Sequence, residues 1–339
     1  MQNIEELKAF LGSPKRVVIT THHKPDADAL GSSLALATYL KKKGHQVQVI
    51  SPSDYPRFLH WLPGNEAVLT FEEDNAKEVE RYFQEADLVC CLDFSGFSRV
   101  EKMADLLQSS PSDILLIDHH INPSIPAKYN YWDEHAAATA QLVFRLICDL
   151  GDQALIDVAI GEAIYAGILT DTASFKHPTT SKEVHQIAGE LIDVGVNTSK
   201  VHHLIYDNNT AIRLKFLGHV LANKMYLLPE YKTCYIVISA EELKEYQSQT
   251  GDTEGIVNYA LSIEGVVFAA IIIEKGDKVK MSFRSVGSFS VNEFAQKHFE
   301  GGGHKNAAGG VSALSLEETT KKFLELLPLY RQALNQVIR

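Results

Sequence analysis

The chain has 339 residues, 45% hydrophobic and 22% charged, with a formal net charge of −11, proportions of a protein folded throughout and long enough for two domains with a substantial core each. The acidic balance argues against a protein that coats long nucleic acid, which takes a broad basic surface, but leaves a small phosphate ligand open, because carboxylates that hold divalent cations inflate the formal charge. No apolar run approaches the length of a membrane span and the N-terminus lacks the basic-then-apolar pattern of a secretory signal, so the expectation is a cytoplasmic protein with no membrane partner.

A short amphipathic helix is predicted over Ile4 to Phe10, then a buried strand over Arg16 to Thr20. Polar residues follow at once, then an Ala- and Leu-rich helix over Ala29 to Lys43 with Gly44 as its C-cap, and a strand over Val47 to Ile50. The same rhythm continues with a strand at Ala86 to Leu92, a helix near Val100 to Gln108 and a strand at Asp113 to Ile117. This is the βαβ pattern of a doubly wound α/β domain on a parallel sheet. Helical periodicity covers Ala136 to Leu150, Gln153 to Leu169, Lys182 to Val194 and, as one helix, Thr210 to Leu228. Extended runs then take over at Cys234 to Ile238, Val266 to Ile273 and Lys278 to Ser285, with helices at Val291 to Phe299 and Leu316 to Val337. The expected organisation is a catalytic domain over 1–196, a helical linker over 197–229 and a smaller mixed α/β domain over 230–339. Cys90, Cys91, Cys148 and Cys234 have no metal-binding spacing and read as free, buried thiols.

Chemistry concentrates at the strand ends. His22-x-x-Pro25-Asp26-x-Asp28 puts three potential ligands in one turn, although a helix-capping Asx turn would use the same residue types. His23 reads as a neighbour of this group, not a ligand. Asp93 ends the Leu88 to Leu92 run, Asp118-His119-His120 ends the Leu115 to Ile117 run, and Asp171 closes a long apolar helix. In open parallel sheets ligands bind at the carboxyl ends of the strands, which is where the first three groups fall. Carboxylates with imidazole and no thiolate suit Mn²⁺ or Mg²⁺, and the number of ligands suits two ions. Paired cations of this kind serve in-line phosphoester hydrolysis. Arg99 reads equally as a contact to substrate phosphate or as the partner of a surface acid. His202 and His203 are adjacent on a helix and point different ways, while Trp61 and Trp132 read as packing residues.

The second domain carries Arg284-Ser285 at a strand end and the run Gly301-Gly302-Gly303-His304 in a glycine-dense loop after a helix. Bare backbone amides there can wrap a phosphate or lie against a base, and a guanidinium offers a fork for phosphate oxygens.

Taken in order, His22-x-x-Pro25-Asp26-x-Asp28, Asp93, Asp118-His119-His120 and Asp171 resemble the four motifs of the DHH family of phosphoesterases in its compact nanoRNase form, and the GGGH run with Arg284-Ser285 resembles its associated C-terminal domain. The resemblance spans nearly the whole chain. It implies a two-domain α/β fold with the active site in an interdomain cleft. It also implies one Mn²⁺ on His22, Asp26 and Asp93 and another on Asp28, Asp93, His119 and Asp171, with Asp93 bridging. By the same resemblance Asp118 orients its neighbours, His120 meets the phosphate or protonates the leaving group, and Arg284, Ser285, Gly301, Gly302, Gly303 and His304 hold the substrate. The implied activity is hydrolysis of very short oligoribonucleotides to mononucleotides, with 3′-phosphoadenosine 5′-phosphate as a further substrate and a homodimer left open. The rivals are a family II-like inorganic pyrophosphatase, which shares the first-domain motifs, and a non-catalytic nucleotide-binding regulator.

Overall fold

In the computed structural model, which describes residues 3–338, the chain divides into two compact units, 1–208 and 209–339. The first runs α1 (Ile4–Phe10), β1 (Arg16–Thr20), α2 (Ala27–Lys42), β2 (Gln46–Ser51), β3 (Leu69–Thr70), α3 (Ala76–Glu85), β4 (Leu88–Leu92), α4 (Ala104–Gln108), β5 (Asp113–Asp118), β6 (Tyr129–Trp132), α5 (Thr139–Asp149), α6 (Val158–Asp171), α7 (Lys182–Asp193) and α8 (Thr198–Tyr206). Its sheet is wholly parallel in the order β3-β2-β1-β4-β5-β6. Alternating side chains feed two cores. Ile19, Cys90 and Ile117 pack under α2, α5 and α6, whereas Val18, Val89, Cys91 and Leu116 meet Val79 and Phe83 of α3 and Leu107 of α4. Burial on both faces explains why these strands read as unbroken apolar runs.

α2 and α6 approach closely because their contact is built from small residues. A Cβ at Gly31 would lie 2.4 Å from the carbonyl oxygen of Ala163, so only glycine lets the two backbones meet there. This contact sets the height of the α2 N-terminus over the sheet, and with it the position of Asp28.

The second unit runs α9 (Ala211–Asn223), β7 (Met225–Leu228), β8 (Thr233–Ile238), α10 (Ala240–Glu245), α11 (Ile256–Leu261), β9 (Phe268–Lys275), β10 (Lys278–Ser285), α12 (Val291–His298), β11 (Gly302–His304), β12 (Ala307–Ser312) and α13 (Leu316–Gln336). Its mixed sheet has the order β11-β12-β10-β9-β8-β7, parallel only between β8 and β9. Phe268, Ala270 and Ile272 face α12 and α13, and Ala269, Ile271 and Ile273 face α9 and α11.

Two expectations fail. The single helix over Thr210 to Leu228 stops at Asn223, and Met225–Leu228 is instead strand β7, paired antiparallel with β8. Cross-strand pairing and the stacking of Tyr226 on Tyr235 override a run that suits either state. The glycine-dense segment after α12 is not an open loop but the hairpin β11–β12, whose glycines answer to packing. A Cβ at Gly301 would lie 2.0 Å from the carbonyl oxygen of Gly309, and one at Gly310 would press on Phe299 and Phe283. Within 197–229, α8 falls in the first unit and α9 and β7 in the second.

Candidate metal centre and active site

Strands β1, β4 and β5 lie side by side, and the winding of the sheet reverses between β1 and β4. At that reversal the flanking helices diverge and leave a crevice at the carboxyl edge. His22 and Asp26 occupy the loop after β1, Asp28 the first turn of α2, and Asp93 the position after β4. Asp118 ends β5, His119 and His120 follow it, and Asp171 ends α6.

Each side chain is held by its own segment. Asp26 Oδ1 caps α2 by accepting from the backbone N–H groups of Asp28 (3.0 Å) and Ala29 (3.1 Å). The helix-capping role and a ligand role therefore coexist, since the second oxygen is not spent on the cap. His22 Nδ1 donates to the carbonyl of His23 (2.9 Å), which turns Nε2 toward Asp93 Oδ2 at 3.6 Å. His119 Nδ1 donates to the carbonyl of Ala136 (3.2 Å), and its Nε2 faces Asp171 Oδ2 at 3.3 Å, Asp93 Oδ1 at 3.5 Å and Asp28 Oδ2 at 3.8 Å. His120 differs: its Nδ1 is engaged by Asp118 Oδ1 at 2.8 Å. Asp93 itself is a non-glycine residue at φ 65°, a left-handed conformation that the buried surroundings over-determine.

Donor atoms of His22, Asp26 and Asp93 lie within 4.8 Å of one another, as do those of Asp28, His119 and Asp171, and those of Asp93, Asp118 and His120. Electrostatics mark the second of these groups as short of positive charge. Burial raises the Asp28 carboxyl well above its usual range and Asp93, Asp171 and Asp26 raise it further, against the N–H of Ala140. Burial also opposes ionisation of Asp93, but the hydrogen bond to His22 and the charges of His120, His119 and His22 hold it well below. For His22 and His120 burial works against the charged ring and is outweighed by Asp93 in the first case and Asp118 in the second, so both sit above the usual imidazole value. Asp118 Oδ2 is buried with no hydrogen-bond partner among the described residues. Clustered hard oxygens, imidazoles presenting Nε2 and an orphaned carboxylate oxygen fit divalent cations.

Several contributors carry no signal in the sequence. Thr139 donates its hydroxyl to Asp93 Oδ1 (2.8 Å), and the backbone N–H groups of Thr139 and Ala140 meet Asp28 Oδ2 (2.7 Å) and Oδ1 (2.8 Å). A Thr at the start of an amphipathic helix reads as an N-cap, and nothing nearby points to a partner more than forty residues away. Trp132 is no packing residue: it is partly exposed and its Nε1 donates to the carbonyl of His120 (2.6 Å). After Asp171, Ala173, Ser174 and Phe175 are successive left-handed residues, tied by Thr172, whose Oγ1 accepts from the N–H of Phe175 (2.9 Å) and whose carbonyl accepts from Lys176 and His177. Arg99 is exposed in the 3₁₀ segment Phe97–Met103, acts electrostatically on His22 and His120, and makes no salt bridge among the described residues.

In the second unit Arg284 and Ser285 end β10 and Gly302–His304 form β11. Ser285 is buried, its Oγ donating to the carbonyl of Phe289 (2.7 Å) and accepting from Asn306 Nδ2 (2.8 Å). The amide of Gly303 is taken by Asn292 Oδ1 at 2.9 Å. Arg284 Nη1 donates to the carbonyl of Phe283 (3.0 Å).

This architecture is that of a two-domain α/β protein with an acidic and imidazole centre at a sheet reversal. The model of the DHH family N-terminal domain matches residues 16–168, and that of the DHHA1 domain matches residues 232–333. A Thermus thermophilus protein named bifunctional oligoribonuclease and PAP phosphatase NrnA is 32% identical over 324 residues, 95% of this chain and 91% of that protein. The chain belongs to the DHH family of phosphoesterases, with a DHHA1 domain as its second part. A Bacteroides fragilis crystal structure described as an exopolyphosphatase-related protein is 34% identical, with a TM-score of 0.93 over 98% of both chains. RecJ of Thermus thermophilus, solved with Mn²⁺, shares the fold at 14% identity and a TM-score of 0.56, over 98% of this chain and 55% of that one. No helix among the described residues is long and apolar enough to cross a membrane.

Proposed function

We propose that this chain hydrolyses phosphodiester bonds of very short oligoribonucleotides, dinucleotides included, to mononucleotides in the cytoplasm, and that it also removes the 3′-phosphate of 3′-phosphoadenosine 5′-phosphate. The observation that carries the reading is the pair of donor groups, His22/Asp26/Asp93 and Asp28/His119/Asp171, gathered at one sheet reversal. The substrate class is supported by the Thermus thermophilus relative, whose name carries both activities.

In this reading His22, Asp26 and Asp93 would hold one Mn²⁺ and Asp28, Asp93, His119 and Asp171 would hold the other, with Mg²⁺ as the alternative ion. When bound, such a pair supplies Lewis acidity that makes water nucleophilic near neutral pH and offsets phosphate charge. The chain's own groups do the rest. Asp118 Oδ1 accepts from Nδ1–H of His120 and steadies the protonated ring, so that the imidazolium gives its Nε2 proton to the leaving oxygen and is left neutral with Nδ1–H still on Asp118. Arg99, without an acidic partner in a salt bridge, steadies the phosphate beside His22 and His120. We assign substrate holding to Arg284, Ser285, Gly301, Gly302, Gly303 and His304, with Ser285 and Gly303 shaping that edge through the bonds described above rather than through free donors.

With Mn²⁺ and a 5′-labelled RNA dinucleotide the chain is expected to release mononucleotides, and Asp93→Asn or Asp118→Ala to abolish the release while the dinucleotide still binds. Binding by the wild type without turnover would favour a regulator. Fast turnover of pyrophosphate with none of the dinucleotide would favour a pyrophosphatase.

A further inference from the structure

Helix α5 begins without a cap of its own. Its N-cap position is Ala138, which has no side chain to offer, yet the first amides of a helix must be paired when buried. Asp28 pairs them from α2. Oδ2 takes the N–H of Thr139 and Oδ1 that of Ala140, so each oxygen of this carboxylate spends one lone pair on α5 and its rotation is locked. The opposite wall is Gly167 of α6, where a Cβ would stand 2.7 Å from Asp28 Oδ1 and 2.6 Å from the Ala140 side chain. Asp28 can sit beneath α5 only because that position is bare.

Thr139 is fully buried, and its hydroxyl donates to Asp93 Oδ1, the oxygen that also faces His119 Nε2. One residue therefore grips two carboxylates, Asp28 by its backbone and Asp93 by its side chain. We propose that Thr139 is a positioning residue of the metal centre. It fixes the spacing of Asp28 and Asp93 and aims the remaining lone pair of Asp93 Oδ1, so that the cations meet preset ligands. A hydroxyl needed only for folding would have been served by any buried acceptor. Here it is spent on a carboxylate that carries a left-handed backbone and neighbours three imidazoles. Partners of this kind are worth roughly 10- to 100-fold in metal affinity.

The inference rests on the reading of the cluster as a cation site, and the test separates the two. The full chain is stripped with a chelator and titrated with Mn²⁺ by calorimetry, and its metal-free melting is followed in parallel, for wild type, Thr139→Val, Thr139→Ala and Thr139→Ser. Val keeps the shape and loses the donor, Ser keeps the donor and loses the methyl, and Ala stands in for Val if Val does not fold. The expected result is a drop in Mn²⁺ affinity of roughly 10- to 100-fold for Val or Ala, with Ser within about threefold of wild type, and a changed electron paramagnetic resonance signature of the Mn²⁺-loaded Val or Ala variant. Wild-type affinity in the Val or Ala variant, whether or not its metal-free melting falls, would overturn the assignment and leave Thr139 as a buried residue of the core. A wild-type chain that takes up no Mn²⁺ would overturn the cation reading itself.

Discussion

His119 and His120 are neighbours in sequence with different attachments. The Nδ1 of His119 is tied to a backbone carbonyl and its Nε2 lies among three carboxylates, whereas the Nδ1 of His120 is tied to Asp118. Their substitutions should separate. His119→Ala is expected to lower Mn²⁺ affinity, with activity falling alongside. His120→Ala should keep Mn²⁺ affinity within about threefold while kcat falls by about 10²- to 10⁴-fold, the usual range for loss of a proton-transfer group. Calorimetry paired with single-turnover kinetics reads both, and equal loss of metal in the two variants would deny the division. At this scale the titratable residues were legible because polar groups at the ends of apolar strands are costly unless used. Thr139 was not, because its partner is brought to it by the docking of α5 on α2.

The strands of the first unit were the most legible elements, since a parallel sheet buried on both faces writes itself as apolar runs. Boundaries moved where side chains intervene: α2 starts at Ala27 rather than Ala29 because Asp26 caps it. Short, half-exposed pieces such as β3, β6 and β11 were illegible, being too brief for a period to show. In the second unit α10 opens with a reciprocal cap, Ser239 Oγ accepting from the N–H of Glu242 and Glu242 Oε2 accepting from that of Ser239. Glu242 Oε1 also accepts from His219 Nε2 (2.8 Å) of α9 and pairs with Lys224 Nζ (3.0 Å) just beyond it. Burial pushes this carboxyl up, but those partners outweigh it and carry it down to about 2. A group depressed on folding contributes stability that is complete above its unfolded value, about 4.3, and is lost as pH falls through the folded one. Denaturant melts between pH 6 and 2 should show the second unit losing about 2 kcal/mol through this group, and Glu242→Gln should remove most of that slope. An unchanged slope in the variant would assign the acid sensitivity elsewhere.

Each unit has buried apolar clusters of its own, two in the first and two in the second among the described residues. Thermal unfolding is therefore expected in two steps. All the proposed ligands belong to the first unit, so Mn²⁺ at a hundredfold excess over its dissociation constant should stabilise that step by about 2.7 kcal/mol for each site and leave the other in place. Scanning calorimetry with and without Mn²⁺ checks this, and a single step that shifts as one would show the units to be thermodynamically fused. The division into an α/β domain and a mixed one was legible from the change of pattern near Pro229, while its position followed from packing that no local signal carries. One consequence concerns synthesis on the ribosome. Asp28 is paired with amides 111 and 112 residues further along, and Asp171 arrives later still. At about 5–20 residues per second, a nascent chain spends several seconds with its early carboxylates exposed and uncapped. On the proposed assignment His22, Asp26 and Asp93 are all made before α5, whereas the second set lacks Asp171, so loading of that second site is expected to wait on translation past α6.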